Sequence, residues 1–289
     1  TIISLTPLAL ILTFLAIMQL YFLLSSHEIT ISKETTHILA PINEDGTVDY
    51  IAYMNAEHSK GVTKENNAAI PLIEILGPSC LPEDGLGEKI CKILKIEFPV
   101  ENDKQFSNLE SFASEENDTL DDSLAEAMKA PWATEQHPEI AQWIEANQHA
   151  LTATANAVQR TEYYIPAVTP DDAEFPVVNM SIPAVQAYVS MSNALCARAM
   201  LKLNSNDTSG AWADAMTAKR LARHIARGYS LVEGLVALRC EDIACNLTDA
   251  IAGSGKLTET QAKACLDDLQ QLGPLRDIAD MIDHSERFM

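Results

Sequence analysis

The chain opens with a uniformly apolar run and then changes to mixed polar and apolar periods. From Ile2 to Leu24 it reads IISLTPLALILTFLAIMQLYFLL, without one charged residue. At about 1.5 Å per residue, such a helix is long enough for a bilayer core of about 30 Å. Pro7 falls in the first two turns, where a missing N–H costs least. Tyr21 and Phe22 sit at the exit, where aromatic rings favour the headgroup layer. A cleaved signal peptide would place a small residue at −3, yet Leu23 or Leu24 would stand there before a cut at Ser25 or Ser26. The pattern therefore predicts a retained transmembrane anchor over residues 1–25. The chain begins at Thr1, so a short leader carrying the orienting Lys and Arg residues is expected before it.

Residues 26–46 read as a linker ending in a turn at Asp45-Gly46. A helical region is expected over 47–180. It starts with a helix in VDYIAYMNAEHSKG ended by Gly61. A second, capped by Thr63, is kinked at Pro71 and stopped at Gly77-Pro78, and a short third covers Gly87–Lys95. Residues 101–126 are acidic and polar and read as a mobile surface excursion, with helix resuming near Asp121 and breaking at Pro131-Trp132. From Pro138 to Arg160 the positions Ile140, Trp143, Ile144, Leu151, Ala155 and Val158 fit one face of a single long helix. Residues 161–180, rich in Pro and β-formers, read as an ordered crossing segment without helix.

The part from 181 to 289 is more regular. Helices are predicted at 183–203, 208–227, 230–252 and 258–272, joined by connections short enough to force antiparallel neighbours. Ser230-x-x-Glu233 and Thr258-x-x-Gln261 fit the capping box, and Gly228 and Gly253 sit where helices should end. The first of these helices is small or apolar around most of its circumference, which makes it central. The fold class is all-α: an N-terminal single transmembrane helix followed by an irregular antiparallel helical-hairpin domain. The stretch from Ala194 to Arg223 resembles one tetratricopeptide unit, but no second copy follows at a fixed period.

Composition adds location and partners. Lys and Arg number 20 against 41 Asp and Glu, a net charge of −21. This makes nucleic acid and anionic membrane surfaces poor partners for most of the surface. It favours the bulk of the chain on the extracytoplasmic side of a cell membrane. Cys80, Cys91, Cys196, Cys240, Cys245 and Cys265 allow disulfides in an oxidising compartment. Cys80 and Cys91, flanking CLPEDGLGEKIC, are the leading candidate pair, whereas Cys240 and Cys245 point apart on one helix. No metal or cofactor is expected, since there is no CxxC, no HxxxH and no phosphate loop.

The candidate binding chemistry is a basic arc on helix 208–227. Lys219, Arg220, Arg223, His224 and Arg227 fall on one side, close to Trp212 and Met216. One reading is a site for an anionic ligand or an acidic partner, with Trp212 as platform. The other is an internal match to Glu233, Glu241 and Asp242. His137 with Glu139 reads as a helix start at Pro138 before it reads as an acid–base pair. Tyr163 and Tyr164 read as packing residues. No G-x-S-x-G nucleophile motif is present.

Several stretches resemble a family of uncharacterised proteins from planctomycete-type bacteria: Val48–Asn55, Gly61–Ala69, Leu76-Gly-Pro78, Pro131-Trp132, His137–Asn147, Tyr163–Pro166 and Asp283–Met289. The resemblance implies an exported, N-terminally anchored protein whose chain continues beyond Met289, and it implies no activity. The function expected is a non-enzymatic, membrane-tethered scaffold or protein-binding domain of the cell envelope, with protein partners or self-association. The alternatives are an envelope hydrolase with an unrecognised site and a receptor for an anionic ligand.

Overall fold

A computed structural model describes residues 6–24, 30–112, 120–173 and 176–284. The chain divides into two units, Thr1–Asp49 and Tyr50–Met289.

In the first unit the apolar run forms α1, Thr6–Leu24, while Ile2–Leu5 lie outside the described residues. Side chains 11–21 of α1 are all exposed. Among the described residues, no helix is long and apolar enough to cross a membrane, so the expected transmembrane span has no support from the structure. Farther on, the turn at Asp45-Gly46 forms as predicted. The Thr47 N–H donates to Asp45 Oδ1 at 2.9 Å, Gly46 takes φ 86°, and Ile42 bridges Val48 antiparallel.

The second unit is helical, with no strand among its described residues. In chain order it holds α2 (Tyr50–His58), α3 (Ala69–Leu76), a 3-10 turn (Pro78–Cys80), α4 (Leu86–Leu94), α5 (Leu109–Phe112), α6 (Leu120–Ala127), α7 (Pro138–Ala146) and α8 (Gln148–Ala157). Then come α9 (Val185–Asn204), α10 (Thr208–Ile225), α11 (Leu231–Gly253), α12 (Glu259–Gln271) and α13 (Ile278–His284). Helices α9, α10 and α11 each pack against the other two. Around this triangle, α8 bridges α3 to α9 and α10, α6 and α7 lie on α9, and α13 lies on α11. Tyr188, Met191, Leu195 and Met200 of α9 are fully buried, which makes it the central helix that its composition predicted. Both expected capping boxes form, at Ser230/Glu233 and Thr258/Gln261.

Four expectations in the first half change. Thr63 does not cap α3: it forms a turn with Asn66 (Thr63 N–H to Asn66 Oδ1, 2.7 Å). The helix begins only at Ala69, so Pro71 sits in its first turn, where no hydrogen bond is lost and no kink is needed. The long helix over 138–160 is two helices, interrupted at Asn147. Asn147 is buried and clamps a distant strand of chain: it accepts from Ser107 N–H at 2.8 Å and donates to Ser107 O at 3.1 Å. That clamp corrects the excursion over 101–126. Its residues 113–119 lie outside the described set, but Phe106 and Leu109 are buried and Trp143 donates to Ser107 O at 2.8 Å.

The described residues of the crossing segment are non-helical, as expected, and side-chain amides satisfy part of its backbone. Asn67 donates to Tyr164 O at 2.8 Å and accepts from Tyr164 N–H at 2.9 Å. Asn55 does the same for Ala167, at 2.9 and 2.8 Å. Buried peptide groups outside helices and sheets need such partners. Tyr163–Val168 can therefore pass through the interior, where each of these residues is buried.

Candidate functional site

Helix α10 is built to be gripped on all sides. Asp207 caps it by accepting from Gly210 N–H at 2.9 Å. Its apolar side (Ala215, Ala218, Leu221, Ala222, Ile225) is buried against the core. The basic arc is partly covered: Lys219 and His224 are buried, Arg220 and Arg223 half-buried and Arg227 exposed. Lys219, only 4 % exposed, reaches Glu241 at 3.0 Å, and Arg223 reaches the other oxygen of the same carboxylate at 2.8 Å. Arg223 also donates to Gly273 O at 3.1 Å. Arg227 donates to Thr161 O and to Glu162 at 3.1 Å. Trp212 donates from Nε1 to Asp268 of α12 at 2.8 Å. Arg220 is half-buried and, among the described residues, has no hydrogen-bond or ion-pair partner.

His224 is buried, and its Nε2–H donates to Val158 O at 3.1 Å. Burial, the largest cause, pushes its pKa down to about 4, with Arg227 adding repulsion. It is therefore a neutral core imidazole at neutral pH, and it carries no charge to an anionic ligand. Of the three carboxylates expected to face the arc, Glu241 does so. Glu233 instead caps its own helix, accepting from Tyr229 N–H at 2.8 Å and Ser230 N–H at 3.0 Å, and Asp242 pairs with Arg239 at 3.1 Å. The arc thus joins α10 to three neighbouring elements.

The strongest ionic cluster went unnoticed in the sequence. Arg198 of α9 forms two hydrogen bonds to Asp214 of α10, from Nε at 3.0 Å and from Nη2, and Lys202 adds a third at 2.8 Å. The Arg198 and Asp214 side chains are 6 % and 4 % exposed. Their positions, i and i+16 across a hairpin, carry no local signal.

The disulfide expectation is corrected. All six cysteines are free thiols. Cys80, expected to pair with Cys91, instead donates to Gly77 O at 3.0 Å. Burial pushes the thiols of Cys80 and Cys196 up to about 12 and that of Cys240 up to about 11, so they behave as small apolar side chains. Cys245 is the exposed one, with Lys219 Nζ at 3.2 Å from its sulfur.

His137 precedes α7 with Pro138 at its first position, and its ring meets Trp132 edge-on at 5.5 Å. Tyr163 and Tyr164 are buried, Tyr163 bonding Tyr188 hydroxyl to hydroxyl at 3.1 Å. No group of three or more His, Cys, Asp or Glu side chains is placed to hold a metal among the described residues.

A groove of about 620 Å³ opens between α6, α9 and α11. Its lining is mixed, with Leu124, Ala125, Met128, Cys196 and Ile243 beside Asp121, Lys129, Asn193, Arg239 and Asn246. Along α11 the residues Val232, Leu235, Arg239, Ile243 and Asn246 recur at helical spacing and share one face. Val232 and Leu235, 48 % and 53 % exposed, lie farther along that face, beyond Arg239. No protein-family model, no curated protein and no solved structure matches this chain.

Proposed function

We propose that the protein is a membrane-tethered protein-binding domain. The apolar N-terminal run holds it in a membrane, and the groove between α6, α9 and α11 takes an apolar segment of a partner. The observation that carries the reading is the exposed apolar pair Val232 and Leu235 on the same face of α11 that lines the groove at Arg239 and Ile243. Exposed apolar side chains on a face that lines a groove mark protein or ligand contact. The tether is supported by the charge-free sequence Ile2–Leu24 and by the exposure of side chains 11–21 of α1. The resemblance to exported, anchored proteins of planctomycete-type bacteria favours the same reading. An extracytoplasmic position rests on the net charge of −21, because the free thiols remove the argument from disulfides.

Two measurements test this. Carbonate extraction of native membranes should leave the protein in the pellet, and release into the supernatant removes the tether. A mild-detergent pull-down should recover a stoichiometric partner, lost on Val232→Glu/Leu235→Glu without a change in melting temperature. Equal recovery with the double variant, or a lone monomer from wild type, sinks the groove reading.

A further inference from the structure

A second cavity, of about 410 Å³, opens between α3, α8 and the turn at 102–105. Its volume lies within the roughly 300–1,000 Å³ typical of small-molecule sites. Its walls are held rigidly. Phe106 N–H donates to Ile75 O at 2.8 Å, tying the turn to α3. Within the turn, Gln105 accepts from Asn102 N–H at 3.1 Å and donates to Val100 O at 3.0 Å, while Asn102 accepts from Lys104 N–H at 3.0 Å. These two amides are spent on the wall itself.

Of the remaining polar groups of the lining, Glu74, Lys104, His149 and Asn156 are exposed and Arg160 is half-buried. Arg160 donates from Nη1 to Lys64 O at 3.0 Å and to Asn67 O at 2.9 Å. This fixes the guanidinium and leaves Nε and Nη2 without partners among the described residues. The Lys104 ammonium, the Glu74 carboxylate and the Asn156 amide likewise have no side-chain partner among them. His149 Nδ1–H donates to Lys104 O at 3.4 Å, which leaves its Nε2 open.

We infer that this cleft is a binding site for a small molecule bearing an oxyanion, a carboxylate or a phosphate, received by Lys104 and Arg160. In a chain of net charge −21, this cavity is lined by two permanent cations and one carboxylate, Glu74, with Glu65 in electrostatic reach of Arg160. Arg160 lines the cavity, and a guanidinium's planar fork of donors suits carboxylate and phosphate oxygens. Glu74 supplies the opposite polarity. It disfavours a polyanion and favours a ligand that also carries a hydrogen-bond donor or an ammonium, as an amino acid does. The site differs from the basic arc of α10, where Lys219, Arg223 and Arg227 are engaged within the fold, and it does not depend on the groove at α11.

The test is calorimetric titration of the full chain in mild detergent with inorganic phosphate, succinate and glutamate, each alone, at low and high salt. Saturable binding of at least one probe, weakened by salt, is expected. Preference for glutamate over succinate identifies the zwitterionic class, and binding of phosphate alone identifies the phosphate class. Lys104→Gln, at an exposed position, should weaken binding at least tenfold with an unchanged melting temperature. Glu74→Gln should strengthen binding of the purely anionic probes. Failure of all three probes to bind, or affinity unchanged in both Lys104→Gln and Arg160→Gln, overturns the assignment.

Discussion

Asn67 holds both backbone groups of Tyr164, donating to its carbonyl at 2.8 Å and accepting from its N–H at 2.9 Å. The two residues are far apart in sequence and both are buried. The side chain therefore serves as a one-residue strand partner inside the protein. It also accepts from Ala69 N–H at 3.1 Å, so one amide sets both the start of α3 and the path of the crossing segment. Asn55 and Asn147 repeat the arrangement on Ala167 and Ser107.

Asn67→Leu should accordingly cost much more than a surface change. It orphans both polar groups of Tyr164 and the Ala69 N–H, and each buried unpaired group costs about 1–3 kcal/mol. Urea unfolding should show a loss of at least about 2 kcal/mol at unchanged slope. Asn66→Ala, one position earlier and half-buried, should cost less than half as much. Equal losses would refute the clamp.

The Arg198–Asp214 pair invites a second comparison. Asp214→Leu leaves a buried guanidinium without its carboxylate and should destabilise by about 3–5 kcal/mol. Arg198→Met/Asp214→Leu removes both charges and should recover most of that loss in the same unfolding assay.

His224 makes stability sensitive to acid. Its pKa in the folded state is about 4, against about 6.5 unfolded. Between these values the unfolded chain binds a proton that the folded chain does not, so stability falls as pH drops from 6.5 toward 4. This histidine contributes roughly 3 kcal/mol across that window. His224→Gln should flatten the wild-type slope there by about that amount in chemical unfolding at stepped pH. Parallel curves would contradict a buried neutral imidazole.

The thiols give a chemical prediction. At pH 7.5 iodoacetamide should label Cys245 first, because it alone is exposed. Cys80, Cys196 and Cys240, with pKa values pushed up to about 11–12 by burial, should react only on unfolding. Mass mapping without reductant should find no Cys80–Cys91 bridge, and finding one would reverse the correction made above.

The sequence by itself determined the features that depend on neighbours within a turn or two. The helical class, the limits of α9 to α12 and both capping boxes were legible because propensity, 3.6-residue periodicity and capping act over a few residues. The turn at Asp45-Gly46 and the charge-free character of α1 are of the same kind. Tertiary structure decided the rest. Whether the 138–160 pattern made one helix or two depended on Asn147 finding Ser107 across the fold, and periodicity does not encode that partner. Whether Lys219 and Arg223 met solvent or Glu241 depended on how α11 packs over α10. A helical wheel shows which residues share a face and is silent about what covers it. The cleft at Lys104 and Arg160 was likewise invisible, since two cations so distant in sequence converge only once α3 and α8 have packed.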